Sequence, residues 1–424
     1  MTPRILLTTT LRWPLAARLA IAFARLGCQV TAICPSEHPV ACLRGFPQPY
    51  RYSLLRPLHS LRRAIEHAAP DLVIPCDDDA AVHLHRLHQA LRAGGASATA
   101  DLIERSLGAP AACELATARG QLADVALQEG LRVPATRVVA SEGELDAWIA
   151  GRDFPAVLKC DHSWGGLGVS IVRNPAEAHH AFRQMAARPS LARTLLRTTL
   201  DRDPSQLLKW IGQRQRTVSV QDHVRGMPAN RAVACWRGQV LAGISVEALN
   251  TLHQTGPATV VRVIDHDEMA ETAARLVRRL GLSGLWGFDF VLDAAHGAAW
   301  LIEVNPRATP ICHLPLRDGR DLPAALFAQL AGSPAVAPAV SLEAREIAMF
   351  PGEWRRDPAS RALHAAYHDV PWEEPELVRS CIGLTWEERG LLARFKSRVH
   401  PRRAPEPVDA RVPLAIGAAL PPRR

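Results

Sequence analysis

The hydrophobic positions at the start of the chain alternate between short apolar runs and stretches with helical spacing. This alternation predicts parallel strands joined by helices, that is, a small α/β domain. The predicted strands are residues 4–9, 29–34 and 72–75, and the predicted helices are residues 13–27 and the stretch from Asp77 to about Arg92. No G-x-G-x-x-G pattern follows the first strand, so dinucleotide binding is not indicated.

An acidic run, Asp77–Asp79, opens the second of these helices. Aspartate accepts hydrogen bonds from the free backbone N–H groups of a first helical turn, and it complements the positive end of the helix dipole. The run is therefore interpreted first as a helix start. A contact between these carboxylates and a substrate stays open as a second interpretation.

After residue 98 the pattern changes to a mixture of helices and strands that is typical of an α+β unit. The predicted strands cover residues 135–139, 154–172 (two strands around a glycine-rich turn), 216–224, 230–236 and 239–246, and the predicted helices cover residues 176–187 and 267–280. Gly281 is a stop signal for the last of these helices. Two further strands carry Asp289 and Glu303.

Composition limits the class of protein. The chain has 424 residues, of which 48% are hydrophobic and 22% charged, as in a soluble globular protein. The net charge of +8 is spread along the chain, which argues against nucleic-acid binding and favours anionic substrates. The nine cysteines form no C-x-x-C pair, so we expect neither a zinc site nor disulfides. Cysteines without disulfides predict a cytoplasmic location. Arginines at 12, 18 and 25 interrupt the apolar N-terminal stretch, so no membrane span is predicted.

Lys159 ends an apolar run and leads into a glycine-rich turn, PAVLKCDHSWGGLGVSIV. The chain uses arginine for nearly all its other positive charges, and a lysine is a compact point charge that suits a phosphate oxygen. Glycines let backbone N–H groups approach phosphates closely. A plain hairpin is the alternative, and the lysine precedes the glycines, which excludes a P-loop. The pattern predicts a phosphate site formed by Lys159 with Ser163, Gly165, Gly166 and Gly168.

A second block, GLWGFDFVLDAAHGAAWLIEVNPRATPICH, places polar side chains on two strands. Glu303 and Asn305 alternate with a valine and so face one side of a strand, and the aromatic neighbours of Asp289 are expected in a core. If the strands pair through the glycine turn between them, three oxygen ligands meet on one sheet face. The block predicts a magnesium site at these residues, with Arg307 reaching toward an anionic substrate or transition state.

Taken together, the two blocks resemble the ATP-grasp superfamily, in the branch with biotin carboxylase, carbamoyl-phosphate synthetase and many carboxylate–amine ligases. The resemblance covers about residues 1–330. It implies an α/β and α+β fold class: an N-terminal parallel α/β pre-ATP-grasp domain, a two-lobed ATP-grasp fold and a small C-terminal region. The expected bounds are 1–98 for the first domain, 99–332 for the ATP-grasp domain with its lid lobe at about 153–225, 342–398 for the C-terminal region, and 400–424 for a Pro- and Arg-rich tail expected to be disordered.

The resemblance also implies roles for single residues. Arg119 stands where the family usually has a phosphate-contacting lysine. The segment VQDHVRG is similar to the hinge strand that contacts adenine, where Gln221 is expected on the adenine amino group. Asp222 replaces a glutamate of the family, and the backbone at His223 and Val224 is expected to contact the ring edge. A ribose-binding glutamate of the family falls on a proline, residue 228, and therefore has no counterpart.

The resemblance implies ATP and Mg²⁺ as cofactors, with Mn²⁺ as a substitute. It implies a ligase that joins a carboxylic acid to an amine through an acyl phosphate, with Lys159 and Arg307 acting in catalysis. Two alternatives stay open: a carboxyphosphate-forming carboxylase or carbamoyl-type enzyme, and a nucleotide-binding module without catalysis. The expected partners are a small-molecule carboxylate and an amine, not nucleic acid or a membrane, and a homodimer is compatible with the sequence.

Several residues outside the main motifs are weaker candidates. Arg231 and Arg262 lie on strands of the same region, although surface arginines are common in this chain. His313 follows the second block closely and is interpreted either as a site residue or as a core or capping residue. Trp354, Tyr367 and Trp372 cluster near the C-terminus and indicate either part of the substrate pocket or a dimer interface.

Overall fold

The computed structural model describes residues 2–160, 168–187, 217–253, 255–316, 320–333 and 345–382. The side chains of Thr117 and Arg119 are outside this description. The central part of the glycine-rich loop, most of the expected linker at 333–340 and the expected tail also lie outside the described residues.

The N-terminal domain contains a parallel sheet with the strand order β3-β2-β1-β4. Its strands are β1 (Arg4–Thr8), β2 (Gln29–Cys34), β3 (Tyr50–Arg51) and β4 (Leu72–Pro75). The three predicted strands are thus confirmed as β1, β2 and β4. Most of their residues are buried, which explains why they were visible as apolar runs. The helices around this sheet are α1 (Leu15–Arg25), α2 (Pro57–Ala68), α3 (Asp78–Ala93) and α4 (Ala98–Leu107).

The order of the strands creates a switch point between β1 and β4, since the chain adds β2 and β3 on one side of β1 and then crosses to the other. Ligands of open parallel sheets usually bind at the carboxyl ends of the strands at such a point. Asp77 lies there and caps α3 by accepting the backbone N–H of Ala80 at 2.9 Å. It also accepts hydrogen bonds from Thr9 Oγ1 at 2.8 Å and from Thr10 N at 2.6 Å, among others, so the acidic run starts the helix as predicted.

A helical segment follows, with α5 (Pro110–Thr117) and α6 (Arg119–Gln128), and leads to a four-stranded sheet that we call the lid sheet. Its strands, in the spatial order β5-β8-β6-β7, are β5 (Thr136–Val139), β8 (Val218–Asp222), β6 (Ala156–Cys160) and β7 (Val169–Val172). Two helices cover one face of the sheet, α7 (Glu142–Ile149) and α8 (Pro175–Ala186). The opposite face of the lid sheet carries Lys159, Ser219 and Gln221, which alternate with core residues along β6 and β8.

The largest sheet has seven strands in the order β13-β12-β9-β10-β11-β14-β15 and is called the large sheet below. Its strands are β9 (Gly226–Trp236), β10 (Gln239–Thr251), β11 (Ala258–Ile264), β12 (Gly284–Asp293), β13 (Ala299–Asn305), β14 (Glu346–Ala348) and β15 (Tyr367–His368). Strands β9 and β10 are longer than predicted. Strand β11 was not predicted at all.

Helix α9 (Asp267–Leu280) covers one face of the large sheet, with the bounds predicted from its periodicity. His266 accepts the backbone N–H of Met269 and caps its start. Gly281 ends it in the left-handed conformation, at a φ of 62° that costs glycine little. Helix α9 packs on Trp286, Phe288 and Phe290, three fully buried aromatic side chains of β12.

The C-terminal segment adds β14 and β15 to the edge of the large sheet and continues into short helices. The helices after β13 are α10 (Leu322–Ala331), α11 (Gly352–Arg356), α12 (Ala362–Ala365) and α13 (Pro375–Ile382). A buried polar contact joins this segment to the rest of the molecule. Asp369 accepts hydrogen bonds from Arg18 of α1 and binds His313 Nε2 at 2.7 Å, with its side chain only 3% exposed.

All nine cysteines are free, and eight of them are buried, which agrees with the expectation of small apolar side chains rather than disulfides. Within the described residues, no helix has both the length and the apolar character that crossing a bilayer demands.

Candidate functional site

The hairpin of β12 and β13 places the predicted metal ligands beside one another. In the antiparallel register Asp289 lies opposite Glu303, and Gly287 lies opposite Asn305. Directly opposed residues of an antiparallel pair project on the same face. On the other side of β12, Asp289 is also paired with Asn230 of β9. Asn230, Asp289 and Glu303 therefore form a row across the neighbouring strands β9, β12 and β13, which we call the polar row.

Asp289 is held in place by two side-chain amides. Asn230 Nδ2 donates to its Oδ1 at 2.6 Å, and Asn305 Nδ2 donates to its Oδ2 at 2.9 Å. Burial raises the pKa of Asp289, and the neighbouring Glu303 carboxylate adds to this effect, while the two amide bonds oppose it. The site thus confines negative charge where water cannot solvate it well, and a cation would relieve that cost.

Arg307 extends this row toward the N-terminal domain. Its Nη2 donates to Asn305 Oδ1 at 3.3 Å, and its Nε donates to Asp78 Oδ1 at 2.9 Å. The side chain is only 12% exposed. Burial alone would lower the pKa of Arg307, but the adjacent carboxylates, Asp78 first, more than compensate and raise it. The guanidinium is therefore a fixed positive charge beside Asp289.

The donor set fits a hard divalent cation. Asp289, Glu303 and Asn305 offer carboxylate and amide oxygens, the ligand type that Mg²⁺ binds, usually together with phosphate oxygens and water. Each oxygen of Asp289 accepts one hydrogen bond and keeps lone pairs for a metal. Among the described residues there is no cluster of three or more His, Cys, Asp or Glu side chains that could hold a metal. Two carboxylates and an amide would therefore need oxygens from a bound nucleotide to complete the shell.

Lys159 is buried on β6 of the lid sheet, with 4% of its surface exposed. It is paired with Ser219 of β8, and Gln221 is paired with Val157 two positions along β6. Lys159 and Gln221 therefore share one face of the sheet. The alternate residues, including Leu158 and Val220, pack into the core under α7 and α8. Both predicted nucleotide contacts thus lie on the face turned away from those helices.

The hinge between the sheets consists of residues 223–225, which connect β8 to β9. His223 and Val224 lie in it, as the interpretation of VQDHVRG expects, and burial lowers the pKa of His223. Gln221 Nε2 donates to Thr136 Oγ1 at 2.8 Å, which leaves its carbonyl oxygen for another partner. The Asp222 carboxylate instead forms an ion pair with Arg152, at 2.9 and 3.0 Å. The Asp222 carboxylate is therefore occupied by Arg152, and only the backbone of this residue is available to the candidate nucleotide site.

The structure describes the remaining predicted phosphate contacts only in part. Gly168 closes the β6–β7 hairpin, since its carbonyl accepts the N–H of Cys160 at 2.8 Å. Ser163, Gly165 and Gly166 lie outside the described residues. Arg119 is the first residue of α6, and nothing is described of its side chain.

Two residues that hold the site together were not identified from the sequence. Asn230 fixes Asp289, and the only sequence signal was an asparagine among the apolar residues at the start of a predicted strand. Asp78 anchors Arg307 from a position 229 residues away in the chain. The acidic run containing Asp78 was noticed, and the structure shows that one of its members reaches the site after all.

The weaker candidates lie elsewhere. Arg262 is exposed and forms ion pairs with Glu247 and Glu346. His313 is buried in the contact with Arg18 and Asp369, which supports the core interpretation. Arg231 follows Asn230 directly in β9 and therefore projects from the opposite face of the large sheet.

Comparison with known proteins was made at three levels. Residues 126–310 match the family model of an ATP-grasp domain. A search of curated protein sequences gave no match. Many solved structures share the fold. One is the N5-carboxyaminoimidazole synthase of Aspergillus clavatus, bound to ADP and 5-aminoimidazole ribonucleotide, with a TM-score of 0.58 and 14% identity over 81% of this chain and 80% of that chain.

Two further structures show the range of the fold. The biotin carboxylase domain of the Hydrogenobacter thermophilus 2-oxoglutarate carboxylase, in complex with MgADP, ADP and bicarbonate, has a TM-score of 0.57 and 14% identity over 81% of this chain and 72% of that chain. The L-amino acid ligase of Bacillus licheniformis has a TM-score of 0.51 and 15% identity over 78% of this chain and 74% of that chain. The family match and the shared fold agree with each other: residues 126–310 are similar to an ATP-grasp domain, and the chain as a whole has the fold of these ATP-grasp structures.

Proposed function

We propose that the protein is an ATP- and Mg²⁺-dependent ligase that joins a carboxylic acid to an amine and releases ADP and phosphate. The observation that carries this proposal is the polar row on the large sheet. Asp289 is fixed between two amides, Glu303 lies opposite it, and Arg307 is a buried cation that donates to Asn305. Such preorganised charges suit phosphoryl transfer, in which positioning and charge neutralisation do most of the catalytic work.

Each part of the site has a role in this proposal. Asp289, Glu303 and Asn305 would hold Mg²⁺, which when bound neutralises charge on the nucleotide phosphates. Lys159 would bind a phosphate from the lid sheet, together with Arg119 and the loop residues Ser163, Gly165, Gly166 and Gly168. Gln221, with the backbone of Asp222, His223 and Val224, would bind adenine.

The reaction would run in two displacements. An oxygen of the substrate carboxylate attacks the γ-phosphorus of ATP and ADP leaves, which gives an acyl phosphate. The amine nitrogen then attacks the acyl carbon, phosphate leaves, and the amine loses a proton as the amide forms. Arg307 would stabilise the negative charge of the acyl phosphate, and Asp78 keeps its guanidinium from turning away. Closure of the lid sheet over the site would protect the acyl phosphate from water.

Hydroxylamine trapping tests the proposal. With ATP, Mg²⁺ and a panel of carboxylic acids, hydroxylamine should replace the missing amine and give a hydroxamate, and ADP release should depend on the acid. Arg307→Ala should lose this trapping and still bind ATP. An exposed control, Arg62→Ala, should trap as well as the wild type. ADP release that no carboxylic acid stimulates would contradict ligase chemistry of this type.

A second candidate function is carboxyphosphate formation. It is favoured by the fold shared with a biotin carboxylase domain crystallised with bicarbonate and with N5-carboxyaminoimidazole synthase. The fold shared with an L-amino acid ligase favours the first candidate equally. Bicarbonate separates the two, because ADP release driven by bicarbonate alone would identify the carboxyphosphate reaction. The nine free cysteines support a reducing, cytoplasmic location for either activity.

A further inference from the structure

A cavity separate from the candidate site lies on the face of the large sheet opposite the polar row. Its volume is about 360 Å³, within the range of small-molecule sites. Arg231, Gly243 and Ser245 form its floor, and Asp265, Asp267 and Arg320 lie around it. Asn230 and Arg231 are neighbours in β9, so the floor of this cavity and the Asp289 site are separated by the thickness of one sheet.

The floor of the cavity carries an incompletely bonded guanidinium. Arg231 Nη1 donates to Ser245 Oγ at 2.7 Å, but the buried Nε has no partner among the described residues. Burial lowers the pKa of Arg231, and nearby Arg320 lowers it further, yet an arginine stays protonated in proteins. A buried donor without an acceptor is costly, and two cations facing one cavity repel each other. An anionic group in the cavity would remove the repulsion between Arg231 and Arg320 and offset the charge of the buried guanidinium.

Gly243 shows that the guanidinium has a fixed place. A Cβ atom at this glycine would lie 2.4 Å from Arg231 Nη2. The arginine side chain therefore lies flat across β10 in the space that a side chain at residue 243 would fill.

The mouth of the cavity has the opposite charge. Asp265 is 84% exposed and accepts a hydrogen bond from Arg320 Nη2 at 2.7 Å, and Asp267 is also exposed. His266 contributes no free nitrogen, because its Nε2 bonds to Gly297 O at 2.9 Å and its Nδ1 caps α9. The cavity is thus positive inside and negative at its rim.

We propose that this cavity binds a small zwitterion of the amino-acid type. Its carboxylate would contact Arg231 and Arg320, and its ammonium group would face Asp265 and Asp267. The bound molecule would not be the substrate of the catalytic site, because the sheet separates it from Asp289. It would be an effector, with β9 as the link, since Arg231 contacts the ligand and Asn230 holds Asp289. This inference does not depend on which reaction the enzyme catalyses.

Calorimetric titration of the full-length protein with the proteinogenic amino acids, without nucleotide, tests the proposal. At least one amino acid should bind. Arg231→Met and Arg320→Ala should each weaken that binding by about tenfold or more, because each removes a charge-assisted contact to the carboxylate. Gly243→Ala should also weaken it, by displacing the guanidinium without removing its charge. Arg262→Ala, which removes an exposed arginine of the same sheet face outside the cavity, and Arg307→Ala should bind the amino acid as the wild type does.

Several outcomes would overturn the proposal. One is that no amino acid binds, and another is that binding survives Arg231→Met and Arg320→Ala. A third is binding that is lost in Arg307→Ala, since it would locate the amino acid in the catalytic site. Inorganic phosphate that binds as tightly as the best amino acid would show that the carboxylates at the rim take no part. If Arg231→Met fails to fold, Arg320→Ala and Gly243→Ala give the same decision, since Arg320 is 30% exposed and Gly243 lies beside a movable side chain.

Discussion

The lid sheet and the large sheet each carry part of the site, but they are connected to the rest of the molecule in different ways. Among the described residues, the core of the lid sheet draws on the stretch from Val139 to Val220 alone. The core on the site face of the large sheet includes strand residues of the N-terminal domain and helix α13 of the C-terminal segment. Changes in the lid should therefore alter the nucleotide site alone. Loss of a contact that holds the polar row in place, such as that of Asp78 with Arg307, should reach both catalysis and global stability.

The largest effect is expected for Glu303→Gln. The substitution keeps the shape of the side chain but removes a charge that Mg²⁺ needs, so ADP release should fall by at least about a thousandfold. Stability without ligand should not fall, because the Glu303 charge disfavours ionisation of Asp289. Steady-state ADP release and thermal melting measure the two effects. Asp293→Asn, at the end of β12, is the control, and activity within tenfold of wild type would exclude Glu303 as a metal ligand.

Lys159→Ala tests the lid side of the comparison. Turnover should fall by about two to three orders of magnitude, the scale seen when one preorganised charge is lost. The melting temperature should stay close to that of the wild type, because Lys159 lies on the face opposite the lid core. Arg173→Ala, an exposed change next to β7, should have neither effect. A large loss of stability in Lys159→Ala would show that the lid sheet is not the independent unit described above.

Asp78→Asn tests the large-sheet side of the comparison, because Asp78 anchors Arg307 at the polar row. It leaves Arg307 buried without its carboxylate, so we expect a loss of about 1–2 kcal/mol in unfolding free energy together with a drop in turnover of about tenfold. Chemical denaturation and ADP release give both values. Arg62→Ala, which removes an exposed helical ion pair, should change stability by no more than about 0.5 kcal/mol. If Asp78→Asn changed turnover alone, the two sheets would not differ in the way proposed.

The smallest expected effect concerns pH. Because the folded-state pKa of Asp289 is raised, this group stabilises the fold fully below its unfolded-state pKa, and that stabilisation is lost as pH rises through the folded-state pKa. Mg²⁺ binds the ionised carboxylate and should offset the loss. The increase in melting temperature on adding Mg²⁺ to the ADP complex should be about 2–4 °C larger above the folded-state pKa of Asp289 than below it, measured across a pH series. Asp289→Asn should abolish this difference, and an equal increase across the pH series would contradict the assignment.

Much of the fold follows from local patterns. Period-two alternation around Asp289 and Glu303 predicted their common face, and helical periodicity with Gly281 predicted the bounds of α9. Strand β11 escaped prediction although its run of β-branched residues was a usable signal. Asn230 and Asp78 could not be assigned because their partners are 59 and 229 residues away, and no local pattern encodes such contacts. The sequence thus indicates which groups carry the chemistry, but not which groups hold them.

The buried contact of Arg18 with Asp369 has a consequence for synthesis of the chain. The two residues are 351 positions apart, so at translation rates of about 5–20 residues per second the arginine emerges roughly 20–70 s before its carboxylate. Until then the N-terminal domain cannot bury this side chain at low cost, since an unpaired charge strongly resists removal from water. The last step of folding must therefore wait for the C-terminal segment, and a nascent chain stalled before residue 369 should remain open to chaperones and proteases at α1.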